Sequence, residues 1–160
     1  MLLGIMQLLE MMMEIYKSFA SDFVQTVCLL SFKNYGAFKS CIISSFSSVS
    51  ATIDDCYFAF SLSKGSFMGE SLVVDDSFRI AILEQGQEEI AIHFVLNRDD
   101  TADFNLKSVW QECIAYLDGT VFQKLDVGNS FLYVCKVKTI EKNKTKARPL
   151  TYFRKKYESV

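Results

Sequence analysis

Apolar side chains recur at helical spacing over residues 5–20, where Ile5, Leu8, Leu9, Met12, Met13, Tyr16, Phe19 and Ala20 return every three or four positions. That period predicts an amphipathic helix over 1–20 that packs on the rest of the fold or on a partner subunit. Its methionines suit packing against an irregular surface. Beyond it the period shortens. Residues 23–32, with Val24, Val27, Leu29 and Leu30, read as a buried strand, and Lys33-Asn34-Tyr35-Gly36 as a turn. Residues 38–46, 57–62 and 78–83 read as further strands, the last ending at Glu84-Gln85-Gly86. Helical spacing returns over 87–95, where Ile90, Ala91 and Phe94 share a face that Glu88 and Glu89 avoid. The polar stretch 98–105 reads as loop. Residues 113–125 and 130–140 form the clearest hairpin, around Asp126-Val127-Gly128-Asn129, and 150–153 is a last short strand. Many strands with two or three helices predict a mainly β fold with flanking helices, an antiparallel barrel.

Composition narrows the picture. One domain over 1–160 is expected, since a chain of 160 residues buries enough surface to stand without disulfides. Half of its residues are hydrophobic and 14% aromatic, which leaves apolar surface for a subunit interface or a ligand pocket. A net charge of −2 argues against a general nucleic-acid binder. Nine of the 17 Lys and Arg residues nevertheless fall between Lys136 and Lys156, either a solvated face or a seat for an anion. Five cysteines without a CxxC or a neighbouring His read as reduced thiols of a cytoplasmic protein, without a metal site. The apolar start lacks a basic leading region, is interrupted by Gln7, Glu10 and Glu14, and is too short to span a bilayer; neither export nor a membrane anchor is expected.

Three segments carry candidate chemistry. Ser44-Ser45-Phe46-Ser47-Ser48-Val49-Ser50 offers five hydroxyls in seven residues after an apolar strand. Such a loop either presents donors to a polar ligand or satisfies its own backbone. Ser61-Leu62-Ser63-Lys64-Gly65-Ser66 ends a strand where a short helix opens, which suits a phosphate seat or an ordinary capped turn. Pro149-Leu150-Thr151-Tyr152-Phe153-Arg154-Lys155-Lys156-Tyr157 interleaves aromatics with cations, a pattern able to stack on a flat ring and pair with a phosphate. His93, the single histidine, reads as structural near a helix C-terminus. With one His, triad hydrolysis has little to work with.

In order and spacing, from about Phe19 to Tyr157, these pieces resemble the flavin reductase domain family, an FMN-binding split barrel of Greek-key type. Residues 45–50 resemble the family's loop around the isoalloxazine ring, and 63–66 its phosphate and ribityl segment. Residues 78–83 with 87–94 are similar to its strand-then-helix stretch, Ala115-Tyr116-Leu117-Asp118 to a barrel strand bearing an acidic residue, and 149–157 to its closing motif.

The resemblance implies binding of FMN, with FAD an alternative, at Ser44, Ser45, Phe46, Ser47, Ser48, Ser63, Lys64, Gly65, Ser66, Arg154 and Tyr157. Within that set, Ser47 and Ser48 would meet the ring edge, Ser63, Lys64 and Ser66 the phosphate and ribityl chain, and Arg154 an anionic group. It also implies a homodimer, NADH or NADPH as hydride donor to flavin N5, and an oxygenase as a possible partner, with no residue needed as general acid or base.

Three positions depart from the family pattern. Ala51-Thr52-Ile53-Asp54-Asp55 stands where consecutive prolines usually follow the serine loop, and Met68 where a Thr is usual. Gly128-Asn129-Ser130 stands where the family often has Gly-Asp-His, a His linked to nicotinamide use. These leave open a second reading, a non-catalytic barrel that holds flavin or another flat anionic ligand such as haem. In either case the serine segments and the basic aromatic end are expected to converge on one cofactor.

Overall fold

The computed structural model describes residues 2–96, 105–154 and 156–159. In chain order, α1 (Leu2–Ser21) precedes β1 (Gln25–Thr26), β2 (Cys28–Asn34), β3 (Ala37–Ile43), β4 (Ser47–Ala51) and β5 (Cys56–Ser63). Then come α2 (Phe67–Ser71), β6 (Ser77–Ile82), α3 (Glu88–Leu96) and α4 (Leu106–Glu112). The chain closes with β7 (Ala115–Val127), β8 (Ser130–Lys142), β9 (Leu150–Phe153) and β10 (Lys156–Ser159). The fold is mainly β, as its periodicity predicts. Most of the stretch expected as loop over 98–105 lies outside the described residues.

Seven strands form one antiparallel sheet in the order β3-β2-β6-β7-β8-β5-β4, while β1, β9 and β10 form a second. The large sheet curls on itself. Ile43 of β3 and Phe60 and Leu62 of β5 stand far apart in the strand order, yet share one buried cluster with Leu30, Ile80, Val121 and Tyr133. Because β3 is not laddered to β4 or β5, the barrel is split there, and side chains alone close the seam. A second cluster lies outside the barrel, where α3, α4 and β9 cover Leu29, Ala81 and Leu83 with Phe94, Val109 and Leu150.

Turn chemistry fixes the registers. Tyr35 and Gly36 both take positive φ between the paired Asn34 and Ala37, as a two-residue turn matching the twist of its strands requires. Gly128 has φ 58° between Val127 and Ser130, so the long hairpin turns on Gly128-Asn129 alone and its strands run further than their apolar pattern suggests. Burial pushes the Cys28 and Cys135 thiols up to about 12, in keeping with inert core positions.

Four differences from the sequence reading stand out. Residues 44–50 are not all loop: Ser47–Ala51 is the edge strand β4, every residue of it exposed, so no burial alternation marks it. The short helix α4 and the strand β10 were not anticipated. Within one chain α1 does not pack on the barrel. Leu8, Leu9, Met12, Ile15, Tyr16 and Phe19 are each 53–68% exposed. Among the described residues, no helix is long and apolar enough to cross a membrane.

Candidate functional site

A cleft of about 400 Å³ opens at the seam of the barrel. Cys41, Ile43 and Ser44 at the end of β3 form one wall, with Ser45 beyond them. Ser61, Leu62 and Ser63 of β5 form the other. Ser66, Phe67 and Met68 at the start of α2 close one side, and Phe94 and Val95 of α3 complete it. The seam explains why a cavity sits here: neither flank spends its side chains on a laddered neighbour across the gap.

The serines of the cleft divide by what their hydroxyls already do. Ser45 Oγ accepts from the Ser61 N–H at 2.9 Å and donates to the Ser61 carbonyl at 3.3 Å, which ties the approach to β4 onto β5. Ser66 caps α2: its Oγ accepts from the Gly69 N–H at 3.0 Å and donates to the Ser63 carbonyl at 2.7 Å. The single hydroxyl proton of each is therefore spent on backbone. Ser44, Ser61 and Ser63 make no side-chain hydrogen bond among the described residues, so their hydroxyls remain for a ligand. Ser61 falls in the second segment singled out by sequence, though not among the residues expected to touch flavin. Its place at i−2 from Ser63 on a strand, hence on the same face, was the available signal.

The α2 wall is held from below. Gly69 O accepts from Tyr133 Oη at 2.7 Å and from Lys124 Nζ at 2.7 Å, and Lys124 Nζ also donates to the Leu72 carbonyl at 2.9 Å. A cation on the last carbonyls of a helix is favourable. Lys124 also lies 4.2 Å from the centre of the Phe131 ring, which supports its charge in a half-buried setting. Burial raises the Tyr133 hydroxyl well above its ordinary range, so it stays a donor. Phe60 stacks on Tyr133 with ring centres 5.1 Å apart, linking the clamp to the core.

Other residues expected at the site lie outside this cleft. Phe46 stacks on Phe58 at 4.8 Å, its ring joined to the barrel cluster. Ser47 and Ser48 lie on the exposed edge β4 and do not line the cleft. Lys64 is latched to the tip of the long hairpin, paired with Asp126 and donating to the Gly128 carbonyl at 2.7 Å. Gly65, at φ 75°, makes the turn that lets its N–H reach Glu70 Oε1 at 2.9 Å. Arg154 and Tyr157 belong to the small sheet: Arg154 pairs with Asp22 at 3.1 Å and Tyr157 opposes Tyr152. The expected convergence of the basic aromatic end with the serines is therefore not met within one chain. That sheet hangs on Val27, Leu83 and Leu150 by backbone bonds, which fixes the end of the chain to the outer cluster rather than to the seam. Lys155 lies outside the described residues. His93, on α3, sets its ring edge-on to Phe94 at 5.1 Å.

Comparison with known proteins gives this geometry a context. The sequence profile of the family described as Flavin reductase like domain matches residues 20–160. No curated protein matches. Among solved structures, the fold is similar to nitrilotriacetate monooxygenase component B from Mycobacterium thermoresistibile, at TM-score 0.81 and 20% identity, covering 94% of this chain and 88% of that one. It is similar also to the styrene monooxygenase flavin reductase from Pseudomonas putida S12, at TM-score 0.75 and 21% identity, covering 88% and 93%. The flavin reductase HpaC, solved with NADP+, superposes at TM-score 0.75 and 17% identity over 92% of this chain and 97% of its own.

Proposed function

The chain belongs to the flavin reductase like domain family, and from that membership we propose that the seam cleft is where it holds flavin for reduction by NADH or NADPH. One observation carries the assignment to this cleft. Three uncommitted hydroxyls, Ser44, Ser61 and Ser63, stand beside the apolar side chains of Ile43, Leu62 and Met68. Such a lining suits a flat ring with a polar edge and a hydroxylated chain. Bound flavin accepts hydride from nicotinamide, and the protein's part is to orient the two rings and keep water from between them. Ser63 is the residue proposed to meet the sugar-phosphate portion, while Ser66 shapes that wall, its hydroxyl capping α2 and its N–H donating to the Ser63 carbonyl at 3.3 Å. Ser45 contributes by holding the two flanks of the cleft together. FMN is the expected flavin, the cytoplasm the expected compartment, and a partner oxygenase the expected consumer of reduced flavin. The structural neighbours named as the styrene monooxygenase flavin reductase and nitrilotriacetate monooxygenase component B support that last expectation.

Anaerobic mixing tests the reading. FMN with the protein and either nicotinamide should lose its visible absorbance many times faster than without protein; an equal rate in both samples refutes it. Cys41 supplies a locator, because it is a half-buried residue of the cleft wall. FMN should slow alkylation of Cys41 at least several-fold while leaving Cys56, remote from the cleft, unchanged.

One observation favours a second reading, a flavin holder that does not use nicotinamide. Ser130 stands opposite Ser63 in the β5–β8 register, so the hairpin tip flanks the cleft with a hydroxyl rather than an imidazole. Its Oγ turns to Asn129 Oδ1 at 3.4 Å. If reduction is slow, S130H should speed it with NADH without altering FMN affinity.

The chain is also proposed to pair with a second copy, supported by the exposed apolar side chains of α1. An exposed surface of this kind on a single chain marks an interaction site. Replacing Leu8 and Met12 together by Glu should convert a dimer into a monomer on size-exclusion chromatography, with flavin absorbance reporting whether the cleft survives.

A further inference from the structure

The β2–β3 hairpin end of the barrel carries a second cleft, of about 380 Å³, on the outer face of the large sheet. It shares no residue with the seam cleft, which lies at the other end of β3. A row of stacked groups forms its floor. The Arg79 guanidinium lies 4.1 Å from the Tyr116 ring centre and 4.6 Å from that of Trp110. Trp110 in turn meets Phe38 edge-on at 5.1 Å. Asp118 holds Arg79 by two hydrogen bonds of 2.7 Å, so this cation is already neutralised.

Two further cations line the cleft and are not. Lys33 lies 5.3 Å from the centre of the Phe38 ring, and Lys138 donates to Ser77 Oγ at 3.2 Å. Neither meets a carboxylate among the described residues. In a chain of net charge −2, the cleft is left with excess positive charge beside an apolar wall. The Trp110 indole Nε1–H is buried and finds no acceptor among the described residues.

We propose that this cleft is a ligand site for a small aromatic carboxylate. Its carboxylate pairs with Lys33 and Lys138 at the mouth, and its ring rests against Phe38 and Trp110. A bare inorganic anion would leave the aromatic wall unused, and a neutral ring would leave the lysines unpaired. The pairing of an apolar body with one anionic end matches both halves of the lining.

Trp110 is the single tryptophan, so its fluorescence reads this cleft alone. Benzoate, titrated into the flavin-free full chain, should change the Trp110 emission saturably, with benzamide and inorganic phosphate at least about tenfold weaker. The double variant K33Q/K138Q should bind benzoate at least about tenfold more weakly. Both side chains are exposed and outside the seam cleft, so its circular dichroism and its rate of flavin reduction should match the parent. Saturating FMN should leave benzoate affinity unchanged. The inference is overturned if benzoate leaves the emission unaltered, if the double variant binds it as the parent does, if phosphate matches benzoate, or if FMN displaces it.

Discussion

Gly69→Ala should abolish most flavin binding while leaving the barrel folded. A Cβ at position 69 would stand 2.9 Å from Ser66 Oγ and closer still to the Ser63 carbonyl oxygen, a backbone atom that cannot swing aside. Because the Gly69 carbonyl is also fixed by Tyr133 and Lys124, α2 cannot simply slide away to relieve the contact. The relief must come at the cleft, by separating Ser66 from the end of β5. The cost to folding is that of local overpacking, about 1–3 kcal/mol. A shift of an ångström in the wall of a site costs on the order of a hundredfold in what the site does, about 2.7 kcal/mol, a loss that removes most binding while a cost of the same size leaves a stable domain folded. Equilibrium titration with FMN, beside a urea denaturation curve on the same sample, separates the two effects. A variant that binds FMN as tightly as the parent would show that the α2 wall is not part of the flavin site.

Phe60→Ala should have the largest effect on stability. The side chain is fully buried, stacks on Tyr133, and meets Phe78 edge-on at 5.6 Å. Its loss removes ring contacts on two sides and leaves a cavity at the centre of the barrel, a change costing about 3–5 kcal/mol. The urea midpoint should fall accordingly with little change in slope. Since Phe60 supports the ring that donates to Gly69 O, FMN affinity should fall with it, but flavin in excess should restore part of the lost stability by mass action. A midpoint unchanged by the substitution would mean that the cluster repacks around the gap.

Strands facing the barrel were legible from their apolar side chains: β3, β5 and β6 were each placed within a few residues from Ile43, Phe60 and Ile80 and their neighbours, and β2, buried on both faces, from its continuous apolar run. Ser47–Ala51 gave no such signal: a strand exposed on both faces carries no burial pattern, and its serines read as loop. α4 was missed because it is only seven residues long and its N-cap, Asn105, closes a polar stretch that reads as loop.

The serine segments flank the seam, but the division of labour within them was not readable. That Ser45 and Ser66 serve backbone while Ser44 and Ser61 stay free depends on which strand lies alongside. Lys64 shows the same limit, since its partners Asp126 and Gly128 lie some sixty residues away. Local chemistry proposed a phosphate ligand for it, whereas the fold supplied an acceptor of its own.

The split between β3 and the β4–β5 edge has a dynamic consequence. Backbone bonds join every other neighbouring pair in the large sheet, and the long β7–β8 ladder runs through its middle. Opening at the split breaks no interstrand ladder, so amide protons of β4 should exchange with solvent long before those of β7 and β8. The barrel is thus hinged at the proposed flavin cleft, and occupancy there should slow exchange on both banks of the gap.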